Sequence, residues 1–240
     1  MRLQLIVGLA ILTCVGCAHT VQYKLTNADQ WQGATIDKTL RVETFHDTTS
    51  PVQQATFVKD KYTYRTNYRA GYQNREIAVG VTRMVVKHLQ ASKLFNKVID
   101  ASSNQPADYD LSATISEYYG QARVNKGAED TELTGAALLG LAGALVTICA
   151  TSGQTTEIQA SVNLQGITLR PASSTDVVWH GSVNISTNFT AHFSEADAPR
   201  VFFHPDVCLK TAVTELIRQM AAAIQTNTVS AVPSPPAAQK

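Results

Sequence analysis

Two stretches limit what this chain can fold into more than anything else in it. Tyr109, Leu111, Ala113 and Ile115 alternate with Asp110, Ser112, Thr114 and Ser116, and Ile158, Ala160, Val162 and Leu164 alternate with Glu157, Gln159, Ser161 and Asn163. Successive side chains of a strand point to opposite sides, so each stretch has one wet and one buried face. That is the pattern of an antiparallel sheet covered on one side. A third strand, Val177 to Phe189 with Trp179, Val183 and Ile185 on one face, follows the turn-rich run Pro171 to Asp176 and makes a hairpin with the second.

Helical spacing supplies the cover. Ile77, Val81, Met84, Val85, His88 and Leu89 recur every three or four residues and predict a helix over Arg75 to Ala91. Val207, Ala212, Val213, Leu216, Ile217, Met220 and Ile224 predict a closing helix opened by Pro205 and Asp206. Leu40, Val42 and Thr44 read as a first strand, and Leu94-Phe95 with Val98-Ile99 as a short one after the first helix. Residues 52–74 are polar, tyrosine-rich and without period, and read as a long loop. The order β-α-β-β-insert-β-β-α predicts an α+β fold: a mainly antiparallel sheet of about five strands with helices packed on one face.

The flanks are different in kind. Arg2 precedes an apolar run, Leu3 to Leu12, too short to span a bilayer, and the run ends in Cys14-Val15-Gly16-Cys17. The stretch resembles a bacterial lipoprotein signal, in which a small residue precedes the cysteine that takes the lipid and becomes the mature N-terminus. Gly16 before Cys17 fits better than Thr13 before Cys14, so Cys17 is the expected lipid attachment site. The family usually has Leu, Val or Ile where this chain has Cys14. Ala18, rather than Asp, after the cysteine points under this resemblance to the outer membrane, facing the periplasm. The expected organisation is a signal at 1–16, a polar lipidated tether at 17–38, one domain at 39–226 and a proline-rich tail at 227–240 with too few large apolar groups to pack.

Removing residues 1–16 takes one of the 20 Lys+Arg and none of the 19 Asp+Glu, leaving 19 against 19 and no net charge. A neutral chain behind a secretion signal does not suit nucleic acid. Cys149 and Cys208 remain once the lipid site is set aside, and an oxidising compartment makes a disulfide between them an expectation; two separate buried thiols are the alternative.

Leu133 to Ala150 carry no charged side chain, and Leu138, Leu139, Leu141 and Leu145 sit among alanines and glycines. A spanning helix there would leave the two alternating strands on opposite sides of a membrane, so the insert is expected to be covered within its own domain, with lipid or a second subunit as the alternatives. A second candidate contact is the aromatic and basic stretch around Tyr64, Arg65, Tyr68, Arg69 and Tyr72, set against the plainer reading of a solvated loop. No catalytic constellation stands out: there is no His-Glu-x-x-His, Cys-x-x-Cys, Gly-x-Ser-x-Gly or phosphate-cradling glycine loop. The histidines are scattered, so neither metal nor cofactor is expected.

Taken with the lipoprotein-like signal, Ser92-Lys93-Leu94-Phe95-Asn96-Lys97-Val98, Ala107-Asp108-Tyr109-Asp110-Leu111 and Asp176-Val177-Val178-Trp179 give residues 39–226 a likeness to a broad group of small periplasm-facing lipoproteins. It resembles the α/β domain shared by the N-terminal domain of the Tol translocation protein, the curli-export lipoprotein and the lipoproteins that activate peptidoglycan synthases. The resemblance implies a non-enzymatic lipoprotein, anchored by lipid in the outer membrane, that docks onto an envelope complex for transport, secretion or polymer synthesis. Its alternative is a self-assembling ring or pore that uses the insert as oligomer or membrane surface. It implies no catalytic residues.

Overall fold

The computed structural model describes residues 21–49, 57–59, 62–66, 74–125, 155–192 and 203–230. Among them lie eight strands in one sheet and two long helices. The strands are β1 (Ile36–Val42), β2 (His46–Asp47), β3 (Phe57–Lys59), β4 (Tyr62–Thr66), β5 (Phe95–Asp100), β6 (Tyr109–Asn125), β7 (Thr155–Pro171) and β8 (Trp179–His192). The helices are α1 (Asn74–Ser92) and α2 (Phe203–Ser230).

β6 organises the sheet. One of its edges runs antiparallel to β7 from Tyr109↔Pro171 to Arg123↔Glu157. Three strands share its other edge in turn: β1 from Leu40↔Tyr109, β2 from His46↔Thr114, and β4 from Thr66↔Gln121 to Tyr62↔Asn125. β7 carries β8 beyond it, antiparallel throughout, which bears out the hairpin of these two strands. Gly166, at φ 55°, occupies the irregularity between Leu164 and Ile167 in β7, a left-handed conformation that glycine adopts without steric cost.

The α+β class and the largely antiparallel sheet agree with the sequence, but the topology departs from it. β1 lies between β5 and β6 and is parallel to both, so the sheet is mixed. The connection β1-α1-β5 is long enough for a parallel crossover, and the helix it contains covers the sheet. The expected loop at 52–74 contains the β3–β4 hairpin, with Phe57↔Tyr64 and Lys59↔Tyr62 in register. Strands of three and five residues show too little alternation to be read from sequence, and this pair is held by β6 alongside it.

Both helices pack on one face in one continuous core. Cys208, Leu209, Ala212, Val213, Leu216, Ile217, Met220, Ala221 and Ile224 form the buried stripe of α2; Ile77, Val81, Met84, Val85 and Leu89 form that of α1. They close over Leu111, Ile115, Tyr118, Val162, Leu164, Leu169 and Val183 from the sheet. The opposite face is polar, crossed by Arg41–Asp110 at 2.8 Å, Ser112–Thr168 at 2.7 Å, Glu117–Ser161 at 2.5 Å and Arg123–Glu157 at 2.6 Å. Of these only Arg123–Glu157 is exposed, and such a pair contributes little, about 0–1 kcal/mol. Among the described residues no helix is long and apolar enough to cross a membrane. Residues 227–230 of the expected tail continue α2 as helix.

Candidate functional site

The segment expected to be a free tether is seated on the domain. Val21 and Tyr23 alternate with Gln22 and Lys24, and this short period-two pattern buries the first pair: Val21 is 2% exposed within the core, and Tyr23 packs against it. Val21 lies over Gly80 of α1, where a Cβ would come within 2.8 Å of the valine Cγ2. The bare helix surface at Gly80 is what lets the segment approach. A 3-10 turn, Asn27–Asp29, is closed by the Thr26 N–H donating to Asp29 Oδ2 at 2.6 Å. Beyond it the Trp31 N–H donates to the Ser92 carbonyl at 2.8 Å, so the segment follows α1 from its early turns to its end.

Three side chains from the two helices hold this segment. Asp206, in the first turn of α2 and 1% exposed, accepts the Tyr118 hydroxyl through Oδ1 and the Gln22 N–H through Oδ2 at 3.2 Å. Lys210, one turn on, donates to the Lys24 carbonyl at 3.1 Å and pairs with Asp29 at 2.9 Å. Burial works against the Asp29 carboxylate, yet hydrogen bonds from Lys210 and Thr26 outweigh it and hold its pKa below the ordinary value. From α1, His88 shares a hydrogen bond of 3.1 Å between its Nδ1 and the Tyr23 hydroxyl, with the rings edge to face at 5.6 Å. His88 is fully buried and its Nε2 has no partner. Burial pushes its pKa down to about 4, which keeps the ring neutral. Burial, then the nearby Asp206 and Asp29 carboxylates, push the Tyr23 hydroxyl up and keep it protonated.

An open depression of about 490 Å³ lies where the segment meets α2, lined by Gln22, Tyr23, Lys24, Asp206 and Val207. A second, of about 420 Å³, runs along the exposed side of α1 past Val79, Thr82, Arg83, Val86 and Lys87. The hydrogen bonds at the first site fasten one strand of backbone to two helices and a sheet. None of Gln22, Tyr23, Tyr118, His88 and Asp206 stood out in the sequence as functional; the alternation at Val21–Lys24 is the signal that could have shown the first two.

The expected site residues fall elsewhere. Cys17 lies outside the described residues, as do Cys149, Leu138, Leu139, Leu141, Leu145, Tyr68, Arg69 and Tyr72. Tyr64 and Arg65 are in β4, opposite Arg123 and Ala122 of β6. Cys208 is a free, buried thiol whose Sγ lies 3.7 Å from Thr187 Oγ1, so the structure does not contain the expected bridge to Cys149. Its side chain belongs to the buried stripe of α2, where burial raises the thiol pKa and a small apolar group is what the packing needs.

Four strand ends meet at one end of the sheet: Tyr62 pairs with Asn125, and Thr155 with His192. Residues 126–154, which include the apolar insert, lie outside the described residues, and their bounds Asn125 and Thr155 are at this end. The Tyr118–Asp206–Gln22 contact lies near the middle of β6, seven residues from Asn125, roughly 23 Å at the rise of a strand.

No family model matches the chain, and no curated protein matches it. Among solved structures it is similar to a DUF330 protein from Xanthomonas campestris, at 14% identity over 83% of this chain and 94% of that one, with a TM-score of 0.49. It is similar also to a candidate lipoprotein from Caulobacter crescentus CB15, at 13% identity over 65% and 86% of the two chains, TM-score 0.31. A homologue of a neuraminyllactose-binding hemagglutinin from Helicobacter pylori matches at 9% identity over 89% and 95%, TM-score 0.34.

Proposed function

We propose that this protein is a non-enzymatic lipoprotein of the outer membrane, lipidated at Cys17, whose periplasmic domain docks onto an envelope complex for transport, secretion or polymer synthesis. The observation that carries the reading is the seat of Val21 to Trp31. Val21 is the fourth residue after Cys17, a reach of at most about 14 Å. A lipid on Cys17 therefore holds the domain close to the bilayer with one end turned toward it, and the exposed side of α1 keeps a constant aspect. A docking module gains from this, because orientation fixed beforehand is freedom that need not be lost on binding. This reading has Leu138, Leu139, Leu141 and Leu145 touch lipid.

Two measurements test it. Acyl labelling should be lost in Cys17→Ser and precursor should accumulate; labelling that survives there but disappears in Cys14→Ser moves the anchor. A photoreactive residue at Val79, 51% exposed beside the α1 depression, should cross-link the full lipidated chain in living cells to one envelope protein, and the adduct should vanish in Cys17→Ser. A ladder of adducts made only of this chain would reject docking in favour of a self-assembling ring.

A further inference from the structure

β8 is a long sheet edge without the features that keep such edges unpaired. Among the described residues only β7 pairs with it. It spans 14 residues, and Ser186, Thr187 and Asn188 are consecutively exposed. Natural edges are blunted with lysine, proline, inward charges or brevity. From Val177 to Ser194 this chain has no Lys, Arg, Asp, Glu or Pro. The sheet's other edges are blunted: β3 has three residues and carries Lys59, and β5 has six with Lys97 and Asp100. An open row of backbone donors and acceptors on the one long edge is a template for another strand.

We propose that β8 pairs antiparallel with β8 of a second copy of this chain, joining two sheets into one about a twofold axis. This goes beyond the docking reading and does not depend on lipidation. The occupant follows from charge, parity and helix placement. A strand paired with its own copy sets like against like, which is unfavourable for a charged strand and neutral for this one. Residues opposite each other in an antiparallel pair share a face, so the axis must pass at a residue and not between two. At Ile185 it sets Ile185 against itself, Val183 against Thr187 and Asn184 against Ser186. At Ser186 it sets Ile185 against Thr187. In both registers the apolar side chains and Thr187 stay on the helix-covered face and Asn184, Ser186 and Asn188 on the wet one.

α2 packs over β7 and β8, so the twofold brings the α2 helices of the two copies side by side, about 10 Å apart by strand and helix spacings. The exposed stripe of α2 suits such a neighbour. It holds Val207, 57% exposed, with Thr211, Thr214 and Ala222, and its one charged member, Arg218, is paired to Glu215 within the helix. A foreign strand would find no charged or shaped side-chain pattern on this edge to select it.

The test uses the full chain in detergent, weighed by light scattering after subtraction of bound detergent, and again as Asn184→Lys/Ser186→Lys. Those lysines face solvent in the single copy, and they put like charges across the axis in either register. The parent should have twice the monomer mass, and the variant should dissociate with a Kd raised at least about tenfold while its melting stays that of the parent. Ser186→Cys should give a covalent dimer under mild oxidation, and Glu157→Cys, exposed on the next strand, should not. A parent that is monomeric at tens of micromolar overturns the proposal. A dimer that ignores the lysines, or a Ser186→Cys chain bridged in cells only to a different protein, overturns it equally.

Discussion

A proton on His88 would put a cation among buried side chains, with the Asp29 carboxylate in its favour and Lys210 against it. The depressed pKa of about 4, against 6.5 for a free imidazole, has a definite sign in stability. The unfolded chain takes up this proton more readily than the native one, so stability is fully present above pH 6.5 and is lost as the pH falls toward 4. The loss from this group reaches about 3 kcal/mol. Urea titrations at pH 7.5, 6 and 5 should show the decline, and His88→Gln, which keeps a polar partner for Tyr23 but does not titrate, should flatten it; equal slopes in parent and variant would remove His88 as the cause. Asp206 is the other decisive side chain. Asp206→Ala leaves the Tyr118 hydroxyl and the Gln22 N–H without an acceptor, at a cost of about 2–4 kcal/mol. It should also expose the Lys24 peptide bond to trypsin in the otherwise folded protein. Thermal melts and timed proteolysis read the two effects separately, and a variant as resistant at Lys24 as the parent would show that the segment is held by other contacts.

The elements that could be read in advance were those whose partners are nearby or whose period is long. α1 and α2 show three-and-four spacing over many residues, and β6, β7 and β8 show clean alternation, because each has one covered face and one wet face. What could not be read was pairing between distant short strands. Nothing in the pattern of β1 says that it lies parallel between β5 and β6, since side-chain alternation reports faces and not neighbours. The seat of the N-terminal segment was hidden for the same reason: Asp206 looked like an ordinary helix opener until Gln22 and Tyr118 were brought to it. Gly80 gives a test at this scale. Gly80→Val would drive a side chain into Val21, so the segment should lift and stability should fall by about 1–3 kcal/mol. Val21→Ala in the same chain should restore part of that loss, and a double-mutant cycle with no coupling would mean that Gly80 and Val21 do not meet.

For the whole molecule, the β3–β4 hairpin and the strand ends that bound residues 126–154 lie at one end of the sheet, with the seat of the N-terminal segment nearer its middle. The core of the described residues closes without the insert, since the helix stripes and the inner strand residues form one cluster. Leu139→Asp with Leu141→Asp should therefore leave the melting of the domain within about 1 kcal/mol of the parent while binding to anionic liposomes falls. A loss of several kcal/mol with unchanged liposome binding would place those leucines inside the core instead.

The hydrogen bond between Gln22 and Asp206 joins residues 184 positions apart. That bond can form only once α2 has been made, so the closing helix completes a seat that α1 alone begins at Val21, Tyr23 and Trp31. A chain cut short before α2 would keep those α1 contacts and lose the ones made by Asp206 and Lys210, so the last helix to be synthesised acts as a latch on the first segment.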